Sequence, residues 1–260
     1  MAHNQGDKET GRPGDKQNGT FGPSPGVVGG LSNPTRILAL ETSGRDASVA
    51  VLEAVGGDAR LLREVTLSGM QRTAQILAPG VRDLLDAHDW APASIQLVAV
   101  AIGPGSFTGL RIGVTMAKTF AYAVGAQVIG VNTLAVLAEQ ARHLSGPLWT
   151  VMDAQRQELY AAKFVDGVGS ETRIVGEVDW LAALQPGDRV TGPALRKLQP
   201  RLPAGVEVVD ASLWQPLAKA VGVVGWREFQ AGRRDDVWKL APHYYRQSAA
   251  EEKAAKKRNS

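Results

Sequence analysis

Short hydrophobic runs separated by polar loops begin at Arg36 and predict strands. The runs RILALE at 36–41 and SVAVLE at 48–53 are joined by a short polar loop, and a third strand is expected around 61–67. Runs of this length, bounded by turn residues, are typical of strands that pair with their neighbours in sequence. The pattern therefore predicts an antiparallel meander at the start of the fold.

Helical spacing follows the meander. Hydrophobic residues recur at Leu77, Val81, Leu84 and Leu85, a spacing that places their side chains on one face of a helix. Pro79 requires either a kink or a helix start near that point, because proline cannot donate a hydrogen bond inside a helix. The pattern next predicts a buried strand at 97–102, a glycine-rich loop that opens a second helix, a strand at 127–131 and a helix at 134–142. This order of strands and helices indicates a mixed α/β lobe.

The second half of the chain begins with the same pattern as the first. LWTVMDA at 148–154 and ELYAAKFV at 158–165 flank a short polar turn, as RILALET and SVAVLEA do earlier. A similarity this weak also arises by chance, but a genuine repeat predicts a duplicated lobe with a cleft at the junction. We expect lobes at 36–145 and 146–248, the second completed by strands near 188–191 and 206–209 and a helix near 217–231.

Polar segments flank the predicted lobes and are left out of the fold. Residues 1–35 are rich in glycine and proline, and residues 249–260 form a short basic tail. Segments of this composition bury too little apolar surface to fold, so 1–35 is expected to be disordered. It lacks the apolar segment of a secretory signal, and no apolar run in the chain approaches the roughly 18 residues that span a bilayer.

Charge argues against strong nucleic-acid binding by the body of the protein. The net charge is +3, but residues 253–260 carry +4 and residues 1–35 are balanced, which leaves about −1 for residues 36–252. Affinity for tRNA phosphates comes mainly from clustered lysine and arginine. The chain also has no cysteine, which excludes disulfides and thiol nucleophiles and favours a cytoplasmic protein.

The most specific motif is GPGSFTGLRIG at 103–113, which follows a buried strand and opens a helix. Its glycines allow close approach by another backbone or by an anion, and exposed N–H groups at a helix start attract negative charge. The alternative is an ordinary tight turn between strand and helix. The spacing matches neither the Walker pattern nor the dinucleotide-binding pattern. We name Gly103, Gly105 and Ser106 as candidate phosphate-binding positions.

Small residues form a smooth stripe on the helix that follows the loop. Gly109, Gly113, Ala117 and Ala121 recur every fourth residue, beside a bulkier stripe of Ile112, Met116 and Phe120. A smooth stripe lets two helices approach closely, as small residues do between membrane helices. Packing on the protein's own sheet is the alternative. We predict a partner interface that comprises the stripe together with Gln75 and Arg111.

Hydroxyl and acidic residues occupy the two hairpin loops. Thr42 and Ser43 lie in the first loop, and Asp153 takes the corresponding place in the second. These side chains are candidates for a phosphate-binding cleft, although serine and threonine in turns are usually turn formers. Glu41 is either a cleft carboxylate or a strand-end carboxylate paired with a local donor.

Metal and triad chemistry find little support in the sequence. The histidines, at positions 3, 88, 143 and 243, are too widely spaced to form a helical pair of ligands. With no cysteine and no close group of histidines and acids, the sequence offers no nucleophile and base. We predict no metal, no cofactor and no catalytic residue.

Four segments together resemble the TsaB family, also called YeaZ: GPGSFTGLRIG, RILALETS, DAQRQELY and PHYYR. The resemblance covers about residues 36–252. It implies an α/β, actin-like (ASKHA, ribonuclease H-like) duplicated two-lobe fold. It also implies a non-catalytic scaffold subunit of the complex that transfers threonylcarbamoyl to N6 of adenosine 37, in tRNAs reading codons that begin with A.

The resemblance also implies partners. They are a TsaD-like catalytic subunit, which holds the metal and the chemistry, and a TsaE-like ATPase. A homodimer through the same helical surface is possible, tRNA is met only through the complex, and no membrane is involved.

Two departures from the family pattern bear on activity. Glu41 stands where the family commonly has Asp, and Thr73-Ala74-Gln75 stands where it has His-Ser-Gln. Thr73 and Leu77 occupy the places of the His-x-x-x-His metal pair of the related catalytic subunits. An active nucleotide-dependent ATPase or kinase is the alternative function, and a glycoprotease-like metallopeptidase is the least supported one.

Overall fold

The first sheet is built around two strands that are hydrophobic along their length. In the computed structural model, which describes residues 1–2, 33–67 and 73–246, these are β1 and β4. Here β1 pairs antiparallel with β2 and parallel with β4, so the sheet order is β3-β2-β1-β4-β5. The strands are β1 (Thr35–Glu41), β2 (Ala47–Val55), β3 (Asp58–Leu67), β4 (Leu97–Gly103) and β5 (Gln127–Asn132).

Helices cover both faces of this sheet, which explains why its central strands have no polar side. One face packs against α1 (Thr73–Asp86) and α2 (Phe107–Val124). The other packs against α6 (Ala218–Gln230), the last helix of the described chain. The meander, both helices and the order of the elements agree with the sequence prediction, although α1 begins at Thr73, ahead of Pro79.

The second sheet repeats the order of the first. Its central strand β6 pairs antiparallel with β7 and parallel with β10, and the order is β11-β10-β6-β7-β8, with β9 also on β7. The predicted duplication is therefore confirmed. The strands are β6 (Leu148–Asp153), β7 (Glu158–Val165), β8 (Val168–Gly169), β9 (Arg173–Gly176), β10 (Arg189–Thr191) and β11 (Glu207–Val208).

Short helices cover the second sheet. A core of buried residues joins one face to α4 (Glu177–Ala183) and α5 (Leu195–Leu198), and α3 (Thr133–Gln140) packs on the other face. The hydrophobic pattern of the sequence does not predict α4, α5, β8 or β9. Each is too short to show a hydrophobic period of its own.

The last helix corrects the predicted lobe boundary. We placed residues near 217–231 in the second lobe, but α6 lies on the first sheet. Close packing explains the position, since a Cβ at Gly222 would lie 2.5 Å from Leu52 and one at Gly225 would lie 2.6 Å from Ala99. The predicted tails at 1–35 and 249–260 lie almost wholly outside the described residues.

Residues 235–246, here called the C-terminal strap, cross from the first lobe to the second. The strap begins where Asp235 accepts a hydrogen bond from the Gly130 N–H at 2.8 Å. It ends where Arg246 donates to the Ala154 carbonyl at 2.7 Å and pairs with Glu158. Within the described part of the chain, no helix is long and apolar enough to cross a membrane.

Candidate functional site

The glycine loop between β4 and α2 is closed by the first hairpin. The Ser106 N–H donates to the Ser43 carbonyl at 2.8 Å. A Cβ at Gly105 would lie 2.5 Å from the Ser43 Cβ, and one at Gly109 would lie 2.0 Å from the Thr42 carbonyl oxygen. Of the two kinds of close approach that the glycines allow, the structure shows approach by a backbone.

The first turn of α2 uses part of its hydrogen-bonding capacity within the chain. Ser106 is the N-cap residue, and its hydroxyl accepts from the Gly109 N–H at 3.2 Å. Such a cap satisfies a donor that would otherwise need water or a ligand. Thr42, Ser43, Gly105 and Ser106 thus lie together in a packed joint between hairpin and helix.

Glu41 lies at the centre of this joint and is fully buried. One carboxylate oxygen accepts from the Ser43 N–H at 2.8 Å and from the Ser43 hydroxyl, while Oε2 has no hydrogen-bond partner. Burial raises the pKa of Glu41 from 4.5 to about 7, against the lowering effect of the bonds from Ser43. The prediction of a strand-end carboxylate with a local donor is confirmed.

Asp153 lies in the second hairpin, as predicted, and is exposed. The hydrogen bond that it accepts comes from the Gln155 N–H of its own loop, at 2.7 Å. Residues 155–157 of the same loop have φ of 66°, 57° and 61°, a conformation that non-glycine residues rarely adopt. Arg246 of the strap holds this turn through Ala154 and Glu158.

The small-residue stripe faces inward, so its assignment to a partner interface is wrong. Ala117 is 0% exposed and Ala121 1%, and both lie in the hydrophobic core of the first lobe. Gly109 and Gly113 are buried against Thr42, whose hydroxyl oxygen would lie 2.2 Å from a Cβ at Gly113. The alternative reading, in which the stripe packs on the protein's own sheet, is correct, because only small residues let α2 approach the sheet and hairpin closely.

The opposite side of α2 is exposed and carries Arg111 of the predicted interface. The Arg111 Nε donates to the Tyr244 hydroxyl at 3.0 Å, and its guanidinium lies 4.0 Å from the Phe107 ring centroid. Further along the helix, Tyr122 contacts Trp238 of the strap; the two are 65% and 69% exposed, with ring centroids 4.9 Å apart. Gln75 is exposed on α1.

The aromatic residues of this face were not predicted from the sequence. Tyr244 and Trp238 belong to the strap, and Tyr244 is 133 positions from Arg111. The segment PHYYR contributed to the family resemblance, but no pattern in it indicates that one tyrosine lies on α2. We call Phe107, Arg111, Tyr122, Trp238 and Tyr244 the α2 face.

Ligand-forming side chains are dispersed in the part of the chain that the structure describes. No group of three or more His, Cys, Asp or Glu residues there could hold a metal ion. The Nδ1 of His88 lies 3.0 Å from the Leu84 carbonyl at the end of the same helix, a contact typical of a structural histidine.

A groove of about 1040 Å³ lies between the lobes, bounded by α3, α6, the β7–β8 hairpin and the strap. Its lining contains none of the predicted phosphate-binding residues. The cleft expected at the junction of the lobes is therefore present, but away from the glycine loop.

Comparisons with known proteins agree with this architecture. A model of the TsaD family, tRNA N6-adenosine threonylcarbamoyltransferase, matches residues 61–199. TsaB of Bacillus subtilis, a tRNA threonylcarbamoyladenosine biosynthesis protein, is 33% identical over 59% of this chain and 67% of its own length. The Escherichia coli TsaB is 29% identical over 83% and 96%. YeaZ from Pseudomonas aeruginosa superimposes with a TM-score of 0.67 at 27% identity, over 81% of this chain and 99% of YeaZ.

The fold and the joint define an actin-like α/β protein of two similar lobes, in which a glycine loop closes on the first hairpin. The two sheets share one strand order, and the structural relative is covered almost completely. The chain belongs to the TsaB (YeaZ) family, which places it in tRNA threonylcarbamoyladenosine biosynthesis.

Proposed function

We propose that this chain is a non-catalytic scaffold subunit of the complex that adds threonylcarbamoyl to N6 of adenosine 37 in tRNA. A TsaD-like transferase is its direct partner and carries the chemistry, and a TsaE-like ATPase joins the pair. Transfer RNA contacts the chain only through the assembled complex.

The closed glycine joint is the observation that carries this proposal. Phosphoryl transfer depends on positioning phosphates and neutralising their charge. In this chain the Thr42 carbonyl lies against Gly109, and Ser43 lies against Gly105, in the place where a glycine loop would otherwise admit an anion.

The α2 face supports a role in assembly. Exposed tyrosine, tryptophan and arginine residues are the types that contribute most to protein–protein binding. Here Tyr122, Trp238 and Tyr244 are 65%, 69% and 40% exposed along one helix and its crossing strap. The interface that we first placed on the small-residue stripe is therefore proposed for the opposite side of α2, with Gln75 and Arg111 retained.

The test is a reconstitution with purified full-length proteins and unmodified tRNA. The chain alone should neither modify tRNA nor sustain ATP hydrolysis, and it should bind the TsaD-like transferase of the same cells. Adding it to the transferase and the ATPase should be required for modification. Steady ATP turnover by the repurified chain alone, or full modification without it, would refute the proposal.

A further inference from the structure

The Arg111 side chain is held in one orientation before any partner binds. Its Nε donates to the Tyr244 hydroxyl at 3.0 Å, and its guanidinium carbon lies 4.0 Å from the Phe107 ring centroid and 5.9 Å from that of Tyr244. The Phe107 and Tyr244 rings are themselves in contact, with centroids 4.6 Å apart. These contacts restrict a side chain that would otherwise lose much rotational freedom on binding.

The held guanidinium keeps unused donors. Arginine has five N–H donors, and the Nε bond to Tyr244 uses one of them. Among the residues that the structure describes, no carboxylate forms an ion pair with Arg111. The terminal Nη groups of an exposed, oriented arginine match the two oxygens of a carboxylate.

We propose that Arg111 is a preorganised anchor that receives an Asp or Glu carboxylate of the transferase subunit, with Tyr244 as its positioning residue. The inference rests on the proposed function, since it names the chemistry by which the α2 face binds that partner. Tyr244 belongs to the strap whose Arg246 is fixed to the second lobe, so the anchor is held by both lobes.

The surroundings of Arg111 favour a protein carboxylate over a tRNA phosphate. Phosphate binding draws its affinity from several clustered cations. The other cation of α2, Lys118, donates to the strap carbonyls of Trp238 and Leu240 at 3.0 and 2.9 Å. A single arginine among aromatic neighbours is instead the composition typical of a binding hot spot in a protein–protein contact.

A second copy of this chain, paired α2 to α2, is a poor occupant. The helix sequence FTGLRIGVTMAKTFAYAV contains no acidic residue, so a symmetric pair would offer Arg111 no carboxylate from the facing helix. Symmetric pairing also brings identical patches together, including the two Arg111 charges. An α2-to-α2 pair therefore supplies no carboxylate from α2 itself, which favours a different chain as the source of the acid.

Calorimetric binding of the purified transferase to the full-length chain tests the proposal. Arg111→Ala should weaken binding by about tenfold or more, as expected of an arginine at the centre of an interface. Arg111→Lys should weaken it nearly as much, because lysine keeps the charge and loses the two-pronged geometry. Tyr244→Phe should weaken it by a smaller factor, since the ring remains and only the acceptor for Nε is lost. Arg60→Ala, an exposed arginine on β3, is the control and should leave binding unchanged.

Two further readouts separate an anchor from a structural role. The melting temperature of each variant should stay close to that of the wild-type chain. In a scan of acidic residues on the transferase, one Asp→Ala or Glu→Ala variant should lose as much affinity as Arg111→Ala and lose little more when combined with it.

Each outcome bears on a different claim. Wild-type affinity in Arg111→Ala overturns the anchor and leaves the scaffold role intact. Unchanged transferase binding with loss of tRNA binding assigns Arg111 to phosphate and also overturns it. Loss of self-association alone would point to a second copy and overturn it as well. Failure of the wild-type chain to bind the transferase overturns both the anchor and the proposed function.

Discussion

Gly109→Ala tests whether the glycine loop is a packed joint. A Cβ at this position would lie 2.0 Å from the Thr42 carbonyl oxygen, whereas real Cβ atoms essentially never approach closer than 3.0 Å. The hairpin would therefore have to retreat by about 1 Å. Retreat is opposed by the 2.8 Å bond from the Ser106 N–H to the Ser43 carbonyl and by the buried strand that leads into the hairpin.

The expected loss of stability in Gly109→Ala is the difference between two opposing effects. Overpacking of a rigid site costs about 1–3 kcal/mol, and the upper end applies because the obstructing atom belongs to the backbone. Alanine in place of glycine inside a helix stabilises the helix by about 1 kcal/mol, because alanine has the higher helix propensity. The net loss is about 2 kcal/mol, which corresponds to a fall of roughly 4–8 °C in melting temperature for a chain of this size.

Two other glycines provide matched comparisons. Gly57→Ala places its Cβ in open space and should change stability by less than about 0.5 kcal/mol. Gly113→Ala should fall between the two, because its nearest obstacle at 2.2 Å is the Thr42 hydroxyl, which can rotate away. Thermal unfolding monitored by circular dichroism gives all three values. A Gly109→Ala chain as stable as the wild type would refute the claim that the glycine loop is a packed joint.

The remaining predictions concern the core and two buried carboxylates. Ala117→Leu overfills the hydrophobic core of the first lobe and should lower the free energy of unfolding by about 1–3 kcal/mol, measured by denaturant unfolding. An unchanged free energy of unfolding would indicate that the small-residue stripe is exposed and not part of the core. Because the pKa of Glu41 is raised from 4.5 to about 7, the wild-type chain should lose stability as pH rises between these values. Glu41→Gln should flatten this dependence of stability on pH. The same dependence in both chains would contradict the prediction. A hydrogen bond from Lys197, with one from Arg201, lowers the pKa of Glu177, so its contribution is present above pH 4.5 and lost as pH falls through the lowered value. Glu177→Gln should therefore destabilise the chain at pH 7 and progressively less in acid.

Much of the fold could be predicted because its central strands are long and apolar. The runs at 36–41 and 97–102 become β1 and β4, and the repeat of strand, acidic turn and strand correctly indicates a second lobe. The short elements β8 and α5 have no period to detect. The position of α6 depends on packing between distant segments, which a local pattern does not encode.

The candidate site was predicted only in part, because local spacing is visible in the sequence and contacts between distant segments are not. Spacing shows that Gly113 and Ala117 share one side of α2, but only the sheet and hairpin around them determine that this side is buried. Thr42 and Ser43 were placed in the correct loop, yet their contact with the glycine motif joins segments more than sixty residues apart in the printed sequence. The aromatic part of the α2 face depends on the strap, whose course no hydrophobic pattern predicts.

The central claim is that the chain supports tRNA modification without performing chemistry. The most direct measurement is the rate of threonylcarbamoyladenosine formation by the reconstituted complex, with wild-type chain or with the double variant Glu41→Gln, Asp153→Asn. These are the two candidate cleft carboxylates named from the sequence, and they lie in the closed joint and in an exposed turn. A scaffold predicts an unchanged rate in a fully assembled complex. Loss of modification while assembly stays intact would contradict the account.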